Sequence, residues 1–459
     1  MHNTMPTCIG LACSILLAAC GGSSSNDDTN NTVKQCSLAD KHAHWYSTLQ
    51  QDYLWNDELA SPSRNFANYL DSNDLLNDVL PGKDRFSLVI NSQDWQNSIA
   101  GNNFGFGVEL AAAANNQMVV VQTFNGSAAQ LAGIERGDTL TSVGNTSAST
   151  LHTYLNLGNY NAYTNAFGPD ENGFELEFSW INANGDEKTA TLKKSQFQVN
   201  TVTKTEVVDS NAGKVAYLGF QNGFLEPSPA ELKQAFGYFK QQSFDHFVLD
   251  LRDNTGGLVS VAAELALYLA SDAIQNQIFL EFEFNQNNQQ EGGSAKTEEL
   301  VFTQLNGSIR NQINYIRNNS LNLDSLIVLT NGRSASASEV LINSLEPYIN
   351  VHMIGERTYG KPVGFLPDEY CEETLLAVNF QTNNALGFGD YLNGLTPDCF
   401  VSESNTVYPW TSLQDPVFAK AIGYLNNGYS CSATMARPSN VQPLILAPHN
   451  RPNGMLLQK

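Results

Sequence analysis

From about Lys214 onward, short apolar runs alternate with helix-length segments, and this alternation limits what the chain can fold into more than any other feature. KVAYLGF (214–220) precedes a helical pattern near Pro229 to Gln242, and FDHFVLDL (244–251) precedes another from Leu258 to Ala270. DSLIVLT (324–330) leads into a third, from about Ser336 to Tyr348, and VHMIGE (351–356) is a further strand. Strands interleaved with helices predict an α/β layered core.

The sequence before this core has a different character. Residues 100–200 hold short β-type runs (FGFGVEL, MVVVQTF, DTLTSV, FELEFSWI, KTATLKK) separated by Gly, Asn and Ser turns. Residues 36–95 carry apolar and aromatic residues at helical spacing, in HWYSTLQQDYLW and ANYLDSNDLLNDVL, punctuated by Pro62 and Pro81-Gly82. After Cys431 come Pro438, Pro443, Pro448 and Pro452 with little periodicity, which reads as an extended strap or a disordered tail. A chain of 459 residues exceeds one ordinary domain. The expected division is 1–19 signal peptide, 20–35 linker, 36–98 helical segment, 99–200 β domain, 201–435 α/β domain and 436–459 Pro-rich tail.

Charge narrows the function. A net charge of −22 argues against a nucleic-acid partner, because phosphate binding needs clustered Lys and Arg. Ile9 to Ala19 is apolar, too short to span a bilayer as a stable helix and suited to a signal-peptide core. Leu17-Ala18-Ala19-Cys20 resembles the lipobox of bacterial lipoproteins, in which the cysteine is lipidated; Met1 to Pro6 lack the usual Lys or Arg, and an ordinary cleaved signal peptide is the alternative. The expectation is an exported protein on the periplasmic side of a bacterial envelope, membrane-bound only through a lipid on Cys20. No other apolar run approaches ~20 residues, so no transmembrane domain is expected.

Seven cysteines are present. With Cys8 and Cys13 leaving with the signal and Cys20 lipidated, Cys36, Cys371, Cys399 and Cys431 can form two disulfides in three pairings. The favoured set is Cys371–Cys399 and Cys36–Cys431. No CxxC or HExxH occurs, and His42 and His44 read as a surface pair, so no metal site is expected.

Three segments can carry chemistry. In NGRSASASEVLINSL, from Asn331, an apolar strand stops and a helix begins among alternating serines. One serine there is an N-cap; three exceed what a cap needs, and a hydroxyl at a helix start can be a nucleophile beside exposed N–H groups. Ser–His–Asp chemistry is poorly supported, since no G-x-S-x-G elbow exists and His352 lies inside an apolar strand. A buried neutral lysine is the other available base, and Lys361 in GERTYGKPVGF stands out. Gly355-x-x-x-x-Gly360-Lys361 imitates a P-loop, but Pro362 supplies neither the hydroxyl nor the N–H that a nucleotide site needs. The third segment, FVLDLRDNTGGLVSVAAELALYLA, places Gly256-Gly257 at a strand–helix turn where backbone N–H groups can approach a ligand; a plain connection is the alternative, and Asp250 and Arg252 read as structural.

Together these segments resemble the tail-specific, or carboxyl-terminal processing, peptidases of family S41, through Ser-Ala-Ser-Ala-Ser-Glu (334–339), D-L-R-x-N-x-G-G (250–257) and Gly360-Lys361. The resemblance implies Ser336 as nucleophile and Lys361 as base. Glu339 is similar to a family glutamate near the dyad, or else closes an S-x-x-E capping box with Ser336. Many members carry Gln four residues after the lysine; here that residue is Phe365. Phe104-Gly105-Phe106-Gly107-Val108 and Ser127 to Asp138 resemble the carboxylate loop and helix-turn of PDZ domains, so Gly105, Phe106, Gly107 and Val108 would hold a peptide C-terminus. The implied fold is multidomain α+β: a helical N-terminal segment, a PDZ-like β domain and an α/β crotonase-like (ClpP/crotonase) catalytic domain. The implied reaction is endoproteolysis of polypeptides through an acyl-enzyme, without cofactor, the oxyanion received by N–H groups of Gly256 or Gly257 and Ala337. A catalytically silent peptide-binding scaffold lipoprotein is the competing reading.

Overall fold

The structure is a computed structural model and describes residues 36–301, 309–431 and 445–446. The expected signal peptide, linker, Cys20 and most of the Pro-rich tail lie outside the described residues. Residues from Leu38 onward cluster as one unit.

Three helices open it: α1 (Leu38–Asp52), α2 (Ser72–Val79) and α3 (Ser92–Ile99). Asp71 and Asn91 cap the last two by accepting backbone N–H groups of their first turns. The segment is not purely helical, because Leu88–Asn91 pairs antiparallel with Glu373–Leu376. Trp45, Leu49, Tyr53 and Trp95 thereby join the same apolar core as the downstream α/β layers.

A β-rich lobe follows: β1 (Asn102–Gly105), β2 (Val108–Ala112), β3 (Met118–Thr123), β4 (Thr139–Val143), α4 (Ala148–Asn156), β5 (Glu175–Ile181), β6 (Glu187–Lys193) and β7 (Ser195–Gln198). The antiparallel sheet runs β2-β3-β4-β5-β6, while β1 pairs with β7. Its own core gathers Phe106, Leu110, Val120, Leu151, Phe178 and Trp180.

The α/β layers consist of β8 (Val202–Ser210), β9 (Gly213–Phe220), α5 (Ser228–Phe239), β10 (His246–Asp250), α6 (Val259–Ile274), β11 (Ser325–Thr330), α7 (Ala337–Leu345), β12 (Asn350–Gly355), β13 (Cys399–Phe400) and α8 (Pro416–Asn426). The sheet order is β8 to β13 in sequence; β8 is antiparallel to β9 and every later pairing is parallel. Helix α6, VSVAAELALYLASDAI, is apolar on nearly all sides and correspondingly buried. The ends of β10, β11 and β12 lie side by side, where a parallel sheet offers its ligand-binding edge. Residues Ile445–Leu446, here β14, pair antiparallel with the outer edge of β2.

The disulfide expectation is corrected. Cys399 pairs with Cys431, with Cα atoms 5.6 Å apart, so neither Cys371–Cys399 nor Cys36–Cys431 forms. The reason is topological. Helix α8 packs against β11 and β12 in one apolar cluster that includes Cys399, which returns Cys431 to edge strand β13. Cys371 lies in the turn between Asp368–Tyr370 and Glu373–Leu376, in a different sheet. Cys36 and Cys371 are also disulfide-bonded. Among the described residues no helix is long and apolar enough to cross a membrane.

Candidate active site

Ser336 sits between the end of β11 and the start of α7, as that helix's N-cap. Its backbone adopts φ 69° and ψ −117°, a left-handed conformation that is strained for a residue with a Cβ. Glu339, one turn into α7, holds it there by accepting the Ser336 N–H at Oε2, 2.7 Å. The same carboxylate accepts the N–H of Lys361 at 2.8 Å and, at Oε1, those of Gly360 at 2.7 Å and the Thr358 hydroxyl at 2.5 Å. Glu339 therefore clamps the backbone of the serine to that of the lysine, a role wider than either the capping box or a place near the dyad. Burial pushes its pKa up, against the lowering effect of those four donors.

The flanking serines have other work. Ser334 Oγ donates to Leu251 O at 2.8 Å and accepts the Asn331 N–H; Ser338 Oγ donates to Asn254 O at 3.0 Å. Ala335 N–H also donates to Asn254 O, so the turn after β11 is stapled to the turn after β10. Behind the staple, buried Arg252 pairs with Asp250 at 2.6 Å and Asp415 at 2.8 Å, and Arg333 pairs with Asp253. The structural reading of Asp250 and Arg252 fits this arrangement.

Ser336 Oγ and Lys361 Nζ are both buried, and neither has a hydrogen-bond partner among the described residues. A buried lysine without a partner is costly when charged. Accordingly, burial brings the Lys361 pKa down to about 7, opposed by the nearby carboxylates of Asp84 and Glu339. The Phe365 ring lies with its centroid 3.6 Å from Nζ and that of Phe86 at 5.6 Å, so aromatic faces line the amine. Gly360, at φ 89°, lets the lysine loop pass close to its neighbour: a Cβ there would lie 2.4 Å from Leu392 O. Arg85 fastens this loop from outside, donating to Tyr359 O, Gly360 O and Leu392 O at 3.0–3.1 Å.

The Gly256-Gly257 turn faces the serine. A Cβ on Gly256 would fall 2.6 Å from Ser336 Cβ, so only glycine permits this approach. The Gly256 N–H donates to Asn254 Oδ1 at 3.1 Å. The N–H groups of Gly257 and Ala337, in contrast, have no hydrogen-bond acceptor among the described residues. A cleft of about 820 Å³ runs from this turn between α3 and the β1/β7 ribbon, lined by Trp95, Ile99, Phe104, Phe197, Thr255 and Gly257 among others. Ser336 is 0% exposed, so in this conformation the cleft stops short of it.

In the β-rich lobe, Phe106 anchors the Gly105–Val108 loop in the core, edge-on to Phe178 at 4.9 Å. The N–H groups of Phe106 and Gly107 have no acceptor among the described residues. His42 Nδ1 contacts Phe66 O at 2.7 Å, and His44 stacks on Tyr370. No cluster of three or more His, Cys, Asp or Glu able to hold a metal occurs among the described residues.

Sequence reasoning brought together Ser336, Lys361, Glu339, Ala337 and the glycine pair. It missed Arg85, Phe86, Asp84, Thr358 and Asn254. Asn254 had a signal, as an Asx residue two before a glycine; the residues at 84–86 had none, because their role depends on packing across some 275 positions.

The profile of Peptidase family S41 matches residues 211–400, the stretch that carries the turns of Gly256-Gly257, Ser336 and Lys361. Among curated proteins, the chain is 23% identical over 289 residues to carboxyl-terminal-processing peptidase 3, chloroplastic, of Arabidopsis thaliana, covering 61% of this chain and 50% of that one. It is 28% identical over 179 residues to a carboxyl-terminal-processing protease of a Picosynechococcus species, covering 38% and 36%. The chain thus spans about half the length, or less, of these relatives. A crystal structure from Bacteroides fragilis assigned to the S41 proteases superposes with a TM-score of 0.64 at 20% identity, over 84% of this chain and 97% of that one, which establishes a shared fold.

Proposed function

Residues 211–400 are a domain of peptidase family S41, and on that premise we propose that the chain is a serine endopeptidase working through a Ser336/Lys361 dyad. The observation that carries the reading is the pair of buried, unpartnered polar atoms, Ser336 Oγ and Lys361 Nζ, held on one carboxylate clamp. Lys361 in its neutral form accepts the Ser336 proton as Oγ attacks the scissile carbonyl carbon. The oxyanion is received by the Gly257 and Ala337 N–H groups, with Gly256 serving the turn instead. Collapse breaks the C–N bond, and the Lys361 ammonium returns its proton to the leaving amine. Water then attacks the acyl-enzyme, giving its proton to Lys361, and expulsion of Ser336 regenerates the hydroxyl. Glu339 touches no reacting atom and is a positioning residue.

The β-rich lobe is read as PDZ-like, with polypeptide C-termini held at the Gly105–Val108 loop and the chain adding along β2. The unpaired N–H groups of Phe106 and Gly107 support this reading. The α/β layers are read as crotonase-like. Export with a lipid on Cys20 belongs to the same proposal; a Cys20→Ser chain that stays with the membrane fraction would remove that part.

Digestion of an unstructured protein tests the chemistry. Wild type should cleave it, Ser336→Ala should not, and Ser334→Ala and Ser338→Ala should keep a substantial part of the rate while losing stability, since they are staples. Equal digestion by Ser336→Ala sinks the assignment. A silent scaffold has no support from the family or from an intact pair of this kind.

A further inference from the structure

The outer edge of β2 is already occupied. Ile445 pairs with Ala112 and Leu446 with Ala111, antiparallel, on the side of β2 away from β3. Strand β2 begins at Val108, at the end of the Gly105–Val108 loop, so a segment running antiparallel to it heads toward that loop. This is the direction a peptide takes when it adds to a sheet edge and delivers its C-terminus to a loop of free N–H groups. The side chains fit as well. Ile445 packs against the lobe core that holds Phe106 and Leu110, and Leu446 against Ala111, Ala113, Val119, Val121 and Val407 on the other face.

We propose that Ile445 and Leu446 are built-in occupants of the peptide-binding edge of the β-rich lobe, which an incoming polypeptide must displace. The proposal rests on reading that lobe as PDZ-like. It makes the chain its own competitor.

Two features suit the segment to being displaced. Pro443 and Pro448 lack an N–H, so they bracket at most four residues that can donate to β2, and two are paired. So short a ladder is weak by itself. Its strength comes from tethering. Cys431 is fixed to Cys399, and only residues 432–444 separate it from Ile445. A tether of that length gives a local concentration on the order of millimolar, enough to exclude weak ligands while yielding to longer or better-fitting ones.

The test separates occupancy from catalysis. A fluorescent copy of residues 441–450 (VQPLILAPHN) serves as the probe, and binding is read by anisotropy on Ser336→Ala protein, where no cleavage is needed. Protein lacking residues 437–459 should bind the probe at least tenfold more tightly than the full chain. Full-length Ile445→Asp, which places a charge in the apolar contact and leaves the rest of the chain in place, should do the same. Equal probe affinity in all three overturns the proposal. In the catalytically intact background, deletion should speed digestion of an unstructured protein several-fold, and the unlabelled peptide added in trans should slow it again. Tighter probe binding with no digestion by any variant would leave the occupancy standing and sink the peptidase reading instead. Faster digestion without tighter binding would sink the occupancy.

Discussion

Lys361 is a buried amine whose ordinary pKa of 10.5 falls to about 7. Because the folded value is depressed, the folded chain holds fewer protons than the unfolded one between those values. The penalty for burying the group is complete below about pH 7 and fades as pH rises toward 10.5. Replacing the amine with an apolar side chain of similar length, Lys361→Met, should abolish activity and stabilise the fold by ~2–4 kcal/mol at pH 6, less at pH 9, read by urea unfolding. A destabilised Lys361→Met protein at pH 6 would contradict the buried, unpartnered state. For catalysis the sign is the opposite of a loss with pH: kcat/KM should climb as pH rises through about 7. Lys361→Arg should be inactive at every pH, since guanidinium cannot act as a base. The Phe365 ring favours the protonated amine through its face. Phe365→Leu should therefore move the acid limb down by ~0.5–1 pH unit, a cation–π contribution of about 1 kcal/mol. An upward move would mean that the ring acts only by excluding water.

At the scale of elements, the site is a junction between helix α7 and the loop after β12, joined through Glu339. Both carboxylate oxygens accept backbone N–H groups, so Glu339→Gln must aim its own N–H₂ at donors. It should lower kcat by ~10–100-fold and stability by ~1–3 kcal/mol. The acid limb should also shift downward, because the carboxylate helps keep Lys361 protonated. Loss of stability with an unmoved pH profile would reduce Glu339 to a cap. Much of this junction was legible. The apolar runs ending at Leu251, Thr330 and Gly355 located three strand ends, and Ser336, Gly256 and Lys361 lay just beyond them. The purpose of three alternating serines was not legible, because two of them bond to carbonyls some 80 residues away. Nor was the cysteine pairing, since α8 had to fold back onto β11 and β12 before Cys431 could meet Cys399. Local periodicity reports which face of an element is buried, not which distant element buries it.

For the whole molecule, the Cys399–Cys431 link closes a 32-residue separation across the bridge to the β-rich lobe, in which Arg136 donates to Tyr408 O and lies over Trp410. Cys399→Ala should cost ~2–4 kcal/mol in thermal or urea unfolding, and reducing agent should lower wild type at least as far, since it also opens the bonds of Cys36 and Cys371; no change on reduction would argue that the bond is absent in solution. The clasp of Arg85 on the lysine loop has a different consequence. The residues of the family domain begin at 211, yet the amine's surroundings include Asp84 and Phe86, and the backbone around Gly360 is gripped from residue 85. A fragment cut at the family boundary would keep Gly256, Gly257, Ser336, Glu339 and Lys361 and lose one wall of the chamber, letting water in and restoring an ordinary, protonated lysine. The proposed chemistry is thus not modular: it is inherited only together with Asp84, Arg85 and Phe86, so these residues should tolerate change no more freely than the serine turn itself.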